Sequence, residues 1–245
     1  MDAEKSLRLL THLEDLKGLK FLDVGSGSGL FSLAARRLGA CVHSFDYDAD
    51  SVSCTEELKR RYFDGDLHWI VERGSVLDRN YLAGLGQFDV VYSWGVLHHT
   101  GEMWKALDNV STLVRPGGLL VVAIYNNQGL RSLRWRRIKR FYCSGWLGRA
   151  CVLSVSVPLF TIWWFSRDIR NFQNPLHRYT SYSSRSRGMS VMIDLIDWLG
   201  GYPFEFATPD EIFAFYLDRH YELIHLKTSG GSSGCNEFVF RRKRK

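Results

Sequence analysis

The feature that most constrains this chain is an alternation, across residues 19–125, of short apolar runs with segments of helical length. Residues 20–24, 40–46, 67–72, 88–93 and 119–125 read as strands, and 30–38, 48–62, 78–84 and 101–114 as the helices between them. Strands that alternate with helices build a parallel sheet covered on both faces. Val90-Val91-Tyr92 and the run from Leu119 to Ile124 are unbroken apolar stretches, as strands buried on both sides require. Residues 4–16 predict an amphipathic helix ahead of the sheet, and 189–199 and 209–218 two more helices, with Thr208 as N-cap and Pro209 at the first helical position. Residues 221–228 and 236–241 read as two strands joined by the Gly/Ser loop 229–234, a hairpin.

With 45% hydrophobic and 14% aromatic residues in 245, the chain can bury a full core, and disorder is excluded. The net charge of +6 is unevenly placed. Residues 126–188 hold twelve Arg or Lys against the single acid Asp168, and 241–245 are all basic, so the remainder is acidic. Cysteines 41, 54, 143, 151 and 235 are odd in number, scattered and without a CxxC pair. That usage, with an N-terminus lacking the basic-then-apolar layout of a signal peptide, predicts a reduced, cytoplasmic setting.

Phe21-Leu-Asp-Val-Gly-Ser-Gly-Ser-Gly-Leu-Phe sets a glycine-rich turn between the first strand and the first sheet helix. Gly25, Gly27 and Gly29 let backbone approach a ligand. A dinucleotide fingerprint would need Gly or Ala at position 30, where Leu30 stands. Asp23 precedes the turn, and Asp46 ends the second strand, where its carboxylate can take two ribose hydroxyls.

On these residues the chain resembles a class I S-adenosylmethionine-dependent methyltransferase. Four further stretches carry the resemblance: Phe45-Asp46-Tyr47-Asp48, Gly74-Ser75-Val76-Leu77-Asp78, the segment from Phe88 to His99, and Leu113-Val-Arg-Pro-Gly-Gly-Leu-Leu. It implies a Rossmann-like, seven-stranded, mostly parallel sheet of order 3-2-1-4-5-7-6 with helices on both faces, and S-adenosyl-L-methionine as cofactor. It further implies that Asp23, Gly25, Ser26, Gly27 and Gly29 hold the methionine part, and that Asp46, with Tyr47 beside it, takes the ribose. Ser75 and Val76 would lie beside the adenine and Trp94 over the cofactor. Family members often carry an acid where Ser75 stands, so Val76 backbone atoms are expected to share the recognition.

A sulfonium methyl is already activated, so the protein chiefly aligns the acceptor and excludes water. His98 and His99 follow the fourth strand at the carboxyl edge, where open α/β sheets bind ligands. The segment most resembles the ubiquinone and menaquinone methyltransferase branch, in which a histidine falls in register with His99. It is the candidate general base, with His98 and Tyr125 as further pocket candidates; the alternative is that His99 only shapes the pocket. No metal is expected: histidines 43, 68, 177, 220 and 225 lack ligand spacing. Cys235 reads as a small buried thiol or a pocket residue.

Residues 126–207 form an insert between the methyltransferase segments 1–125 and 208–245. Its first part, from Leu130 to Tyr142, predicts a helix with six basic residues and interleaved aromatics. The uncharged run from Ala150 to Ser166 falls short of the about 20 residues of a spanning helix, and Pro158 predicts a break near its middle. The insert suits a helical substrate lid, a lid with peripheral membrane contact through 131–166, or a packed subdomain with a solvated basic face. Residues 179–187 and 199–205 read as a loop returning to the sheet, with Tyr202 and Phe204 as pocket-closing candidates. The expected reaction is methyl transfer to a hydroxyl or ring carbon of a small, fairly apolar molecule: a quinol, phenol, lipid or natural product. The alternatives are a saccharide or nucleotide-sugar acceptor, and RNA modification or binding. The Asn/Asp-Pro-Pro motif of nucleobase methyltransferases is missing after the fourth strand, which counts against nucleic acid.

Overall fold

The computed structural model describes residues 2–174, 191–232 and 234–244. Among them the chain forms two compact units, 1–128 with 205–245, and 129–204.

The first unit opens with helix α1 (Asp2–Thr11) and strand β1 (Lys20–Val24). It continues through α2 (Leu30–Arg37), β2 (Cys41–Asp46), α3 (Ala49–Tyr62), β3 (Trp69–Arg73) and α4 (Arg79–Leu85). Strand β4 (Phe88–Trp94) leads into a single 3-10 turn, Leu97–His99, then α5 (Met103–Thr112) and β5 (Val114–Tyr125). The sheet order is β3-β2-β1-β4-β5-β7-β6, where β6 (Tyr221–Lys227) and β7 (Cys235–Arg242) form the closing hairpin. Strand β7 runs antiparallel to both neighbours, and the other pairings are parallel. Order and direction agree with the sequence reading.

Alternation along each strand separates two cores. Leu22 and Val24 face a layer with Val91, Leu107, Val110 and Phe238. Phe21 faces the other, with Val90, Tyr92, Val121, Leu33 and Leu7. Side chains of successive strand residues point to opposite faces, so both faces of β1 and β4 must be apolar. The helices begin where their sequences supply acceptors: the Asp48 carboxylate accepts from the Ser51 N–H, and the Asp78 carboxylate from the Asn80 and Tyr81 N–H groups. Helix α9 (Pro209–Leu217), which precedes β6, starts with Thr208 and Glu211 as a reciprocal capping box.

Two boundaries in this unit depart from expectation. Helix α1, expected over 4–16, ends at Thr11, where His12 takes a positive φ of 56 that a helix cannot continue through. Strand β5 begins at Val114, upstream of the expected start at Leu119, because Pro116-Gly117-Gly118 forms a bulged strand entry rather than a free turn. Gly117 has φ +82, and a Cβ on Gly118 would stand 2.9 Å from the Asp89 carbonyl oxygen, so only glycines let β5 start against β4 there.

The second unit holds α6 (Leu130–Tyr142), α7 (Trp146–Arg170) and α8 (Val191–Gly200). Two expectations are corrected here. Helix α7 runs unbroken through Pro158, because Leu153 and Val157 before the proline and Phe160 and Trp164 after it share one packed face with Trp135, Ile138 and Trp198. That continuous packing outweighs the single backbone hydrogen bond a proline removes. Lys139, counted with the solvated basic residues of α6, is fully buried and donates to the Trp198 carbonyl. The expected loop at 179–187 lies outside the described residues.

Candidate active site

The glycine turn leaves β1 with Gly25, Gly27 and Gly29 at φ +77, +53 and +73. Its amides are already engaged. The Gly25 and Ser26 N–H groups donate to the Phe45 carbonyl at 2.9 and 3.2 Å, and the Gly27 N–H donates to the Asp46 carboxylate at 2.9 Å. The other Asp46 oxygen accepts from the Asp48 N–H at 3.0 Å, and each oxygen retains a lone pair for a hydroxyl. Thr55 on α3 braces the turn: its hydroxyl meets Ser26 Oγ and the Gly27 carbonyl, both at 3.1 Å, and a Cβ on Gly29 would collide with it. Above Gly27 a Cβ would meet nothing within 4 Å, so the turn faces open space.

Asp23 is buried beneath this turn and accepts from the Ser32 hydroxyl, which Ser44 supports. Burial pushes its carboxyl up to about 7, and the negative charge of Asp46 adds to the rise. Two carboxylates thus sit at the turn while three of its amides point at internal acceptors. Such a site is short of positive charge and offers a pyrophosphate little, whereas a ligand bearing an ammonium and a sulfonium, with ribose hydroxyls, fits it.

The adenine-side residues are placed less directly. Ser75 Oγ accepts from the Leu77 N–H within its own turn. Val76 is buried in the core, and its carbonyl accepts from the Asn109 side chain at 2.8 Å. Tyr47 is 72% exposed at the rim, with the Arg73 guanidinium over its ring. Trp94 stacks on Tyr92 and Phe31, on the α2 side of the sheet.

His98, His99 and Tyr125 come together at the carboxyl edge of the sheet. The His98 ring centroid lies 4.5 Å from that of His99 and 4.0 Å from that of Tyr125, and the His99 and Tyr125 rings meet edge to face at 5.5 Å. His98 is fully buried, and its Nδ1 accepts from the Tyr125 N–H at 3.3 Å, which places the ring proton on Nε2 in the neutral form. His99 is only partly buried. Val96, next to this turn, ties it to the glycine turn, since a Cβ on Gly25 would stand 2.5 Å from its methyl groups. Sequence reasoning missed Val96, Thr55 and Ser32, and also Glu205, whose N–H donates to the His98 carbonyl at 2.9 Å. No motif marks them; each acts through a contact distant in sequence. Cys235 opens β7 opposite Tyr125, and burial pushes its thiol up to about 12, which fits a buried thiol and not a nucleophile.

Residues 22–120 match the family described as Methyltransferase domain. The ubiquinone biosynthesis O-methyltransferase of Parvibaculum lavamentivorans is 30% identical over 137 residues, covering 54% of this chain and 49% of that protein. The enzyme of the same description from Brucella ovis is 32% identical over 142 residues, covering 55% of this chain and 52% of that protein. The chain therefore spans about half the length of the curated relatives it matches. The crystal structure of magnesium protoporphyrin IX methyltransferase from Synechocystis PCC 6803 with bound SAH is 13% identical, with a TM-score of 0.59, covering 99% of this chain and 82% of that one. The sheet unit thus has the fold of the class I S-adenosylmethionine-dependent methyltransferases, and residues 22–120 within it match a methyltransferase domain.

Proposed function

We propose that this chain transfers a methyl group from S-adenosyl-L-methionine to a hydroxyl or ring carbon of a small, fairly apolar molecule such as a quinol, phenol, lipid or natural product. The observation that carries the reading is the glycine turn: its amides are bonded to the Phe45 carbonyl and the Asp46 carboxylate, beside buried Asp23. When bound, the cofactor supplies a methyl group activated by its positive sulfonium. Asp23 and the turn Gly25-Ser26-Gly27-Ser28-Gly29 hold the methionine part, and Asp46 takes the ribose hydroxyls. The Val76 backbone and Ser75 flank the adenine, with Tyr47 and Trp94 at the margins of the site.

His99 is the general base in this proposal, because of the two histidines in the cluster with Tyr125 it is the one only partly buried. Buried His98 acts as a positioning residue, fixed by the Tyr125 N–H. Division into a methyltransferase domain, 1–125 with 208–245, and a helical insert, 126–207, belongs to the same proposal. So does a cytoplasmic setting, supported by five free cysteines. Contact of 131–166 with a membrane surface is included, supported by exposed apolar residues of α7.

The test is methyl transfer from isotopically labelled cofactor to a hydroxylated, short-prenyl quinol, to nucleotide sugars and to RNA in parallel. Label in the quinol is expected. Label confined to sugar or RNA would overturn the acceptor class, and absence of S-adenosylhomocysteine binding by calorimetry would overturn the cofactor assignment.

A further inference from the structure

The apolar residues of α7 divide into two faces. Leu153, Val157, Phe160 and Trp164 join α6 and α8 in the core of the helical unit. On the other side Val155, Leu159, Ile162, Phe165 and Ile169 are 59%, 61%, 63%, 53% and 53% exposed. These positions follow steps of four, three, three and four residues, so they line one side of the helix. Between Ala150 and Ser166 there is no charge, and the Ser154 and Ser166 hydroxyls donate to carbonyls of their own helix. A helix face in water ordinarily carries charge; this one presents hydrocarbon.

The C-terminal end of the face is cationic. There the Arg167 guanidinium lies 5.1 Å over the Trp163 ring, and Arg170 follows, exposed. Elsewhere on the same unit, α6 carries Arg134, Arg137 and Arg140, all exposed. We propose that this face of α7 docks the protein on an anionic lipid bilayer, with the helix lying in the plane of the interface. The proposal rests on the reading that 131–166 meet a membrane, and it adds the face and the mode of contact.

Length alone would permit the opposite mode. Helix α7 has 25 residues and is long and apolar enough to cross a membrane. Two observations favour lying over crossing. The face opposite the exposed one is committed to a protein core with Trp135 and Trp198. The α6 packed against it carries Arg134, Arg137 and Arg140, which a crossing would draw into hydrocarbon. A one-sided apolar face edged by Trp and Arg is the pattern of an interfacial helix, and anionic headgroups neutralise the arginines. Docking of two such faces in a second copy would instead bring like charges together.

The test is co-sedimentation of the full chain with vesicles of phosphatidylcholine alone or mixed with phosphatidylglycerol. Binding is expected to the mixed vesicles, to weaken with salt, and to be removed by alkaline carbonate. Leu159→Asp combined with Ile162→Asp, both at exposed positions, is expected to reduce binding about tenfold or more with unchanged helicity and melting temperature. Failure to bind mixed vesicles at low salt overturns the docking, and loss of a dimer in the double variant would then assign the face to a second copy. Binding that resists carbonate overturns the in-plane mode while leaving membrane contact standing. Methyl transfer to a water-soluble acceptor, measured without vesicles, reads the catalytic proposal separately.

Discussion

The Glu205 carboxylate accepts a hydrogen bond from the Met103 N–H at 3.0 Å, across 102 residues of sequence. Helix α5 has no side-chain bond from its own N-cap, Glu102, so Glu205 supplies an acceptor at its first turn. Because the Glu205 N–H also holds the His98 carbonyl, one residue ties the histidine turn to the start of α5. Glu205→Ala should cost about 1–2 kcal/mol in urea denaturation and lower kcat about tenfold, with S-adenosylhomocysteine affinity within about twofold. Glu205→Gln should recover part of kcat. Equal losses of kcat and cofactor affinity would show that the residue only supports the fold.

His99→Ala should lower turnover about a hundredfold, the lower end of what a positioned base contributes, with little change in cofactor affinity. Steady-state kinetics and calorimetry on one preparation check this. A tenfold loss of cofactor binding with normal turnover would place His99 in the cofactor site instead.

Asp23 carries a pH signature. Its carboxyl ordinarily titrates near 3.8 and is raised to about 7 in the fold, chiefly by burial. Between those values the folded chain holds a proton that the unfolded chain has released, so stability falls as pH rises through the window and stays low above it. Asp23→Asn should flatten that dependence and be more stable at pH 8 by about 1–3 kcal/mol. The same variant should bind S-adenosylhomocysteine at least about tenfold more weakly. Denaturation from pH 5 to pH 8, with calorimetry, checks both signs.

Lys139 should show the opposite slope in the helical unit. Burial pushes its amine from the ordinary 10.5 down to about 8, while the Trp198 and Phe204 rings, 4.3 and 5.1 Å away, face the charge. From pH 8 to 10.5 the folded state binds fewer protons than the unfolded state, so stability rises with pH there. Lys139→Met keeps the stem and removes the buried charge. It should stabilise the unit by about 1 kcal/mol at pH 7, an advantage that shrinks toward pH 10. Loss of stability at pH 7 would mean that the ring faces and the Trp198 carbonyl outweigh the desolvation.

The strands were legible because they are short apolar runs, their order followed from the family resemblance, and the glycine turn with Asp23 and Asp46 was legible because its spacing is local. Legibility ended where an outcome depends on partners far along the chain. Pro158 breaks a helix in isolation, and only the packing of Val157 and Phe160 against Trp135 and Trp198 keeps α7 whole. Lys139 reads as solvated until Trp198 is folded over it. Glu205 carries no motif, and its partners His98 and Met103 lie about a hundred residues upstream. Local rules see residues within a turn or two; these contacts join segments far apart in the sequence.

The glycine turn, stapled to the Phe45 carbonyl, to Asp46 and to Thr55, arrives at its ligand already shaped. Its ordering entropy falls on folding rather than on association, so a ligand displaces water and immobilises little backbone. The turn should therefore show the same amide-exchange protection with and without S-adenosylhomocysteine, and tuning of affinity by mutation should surface in how fast the ligand leaves rather than how fast it arrives.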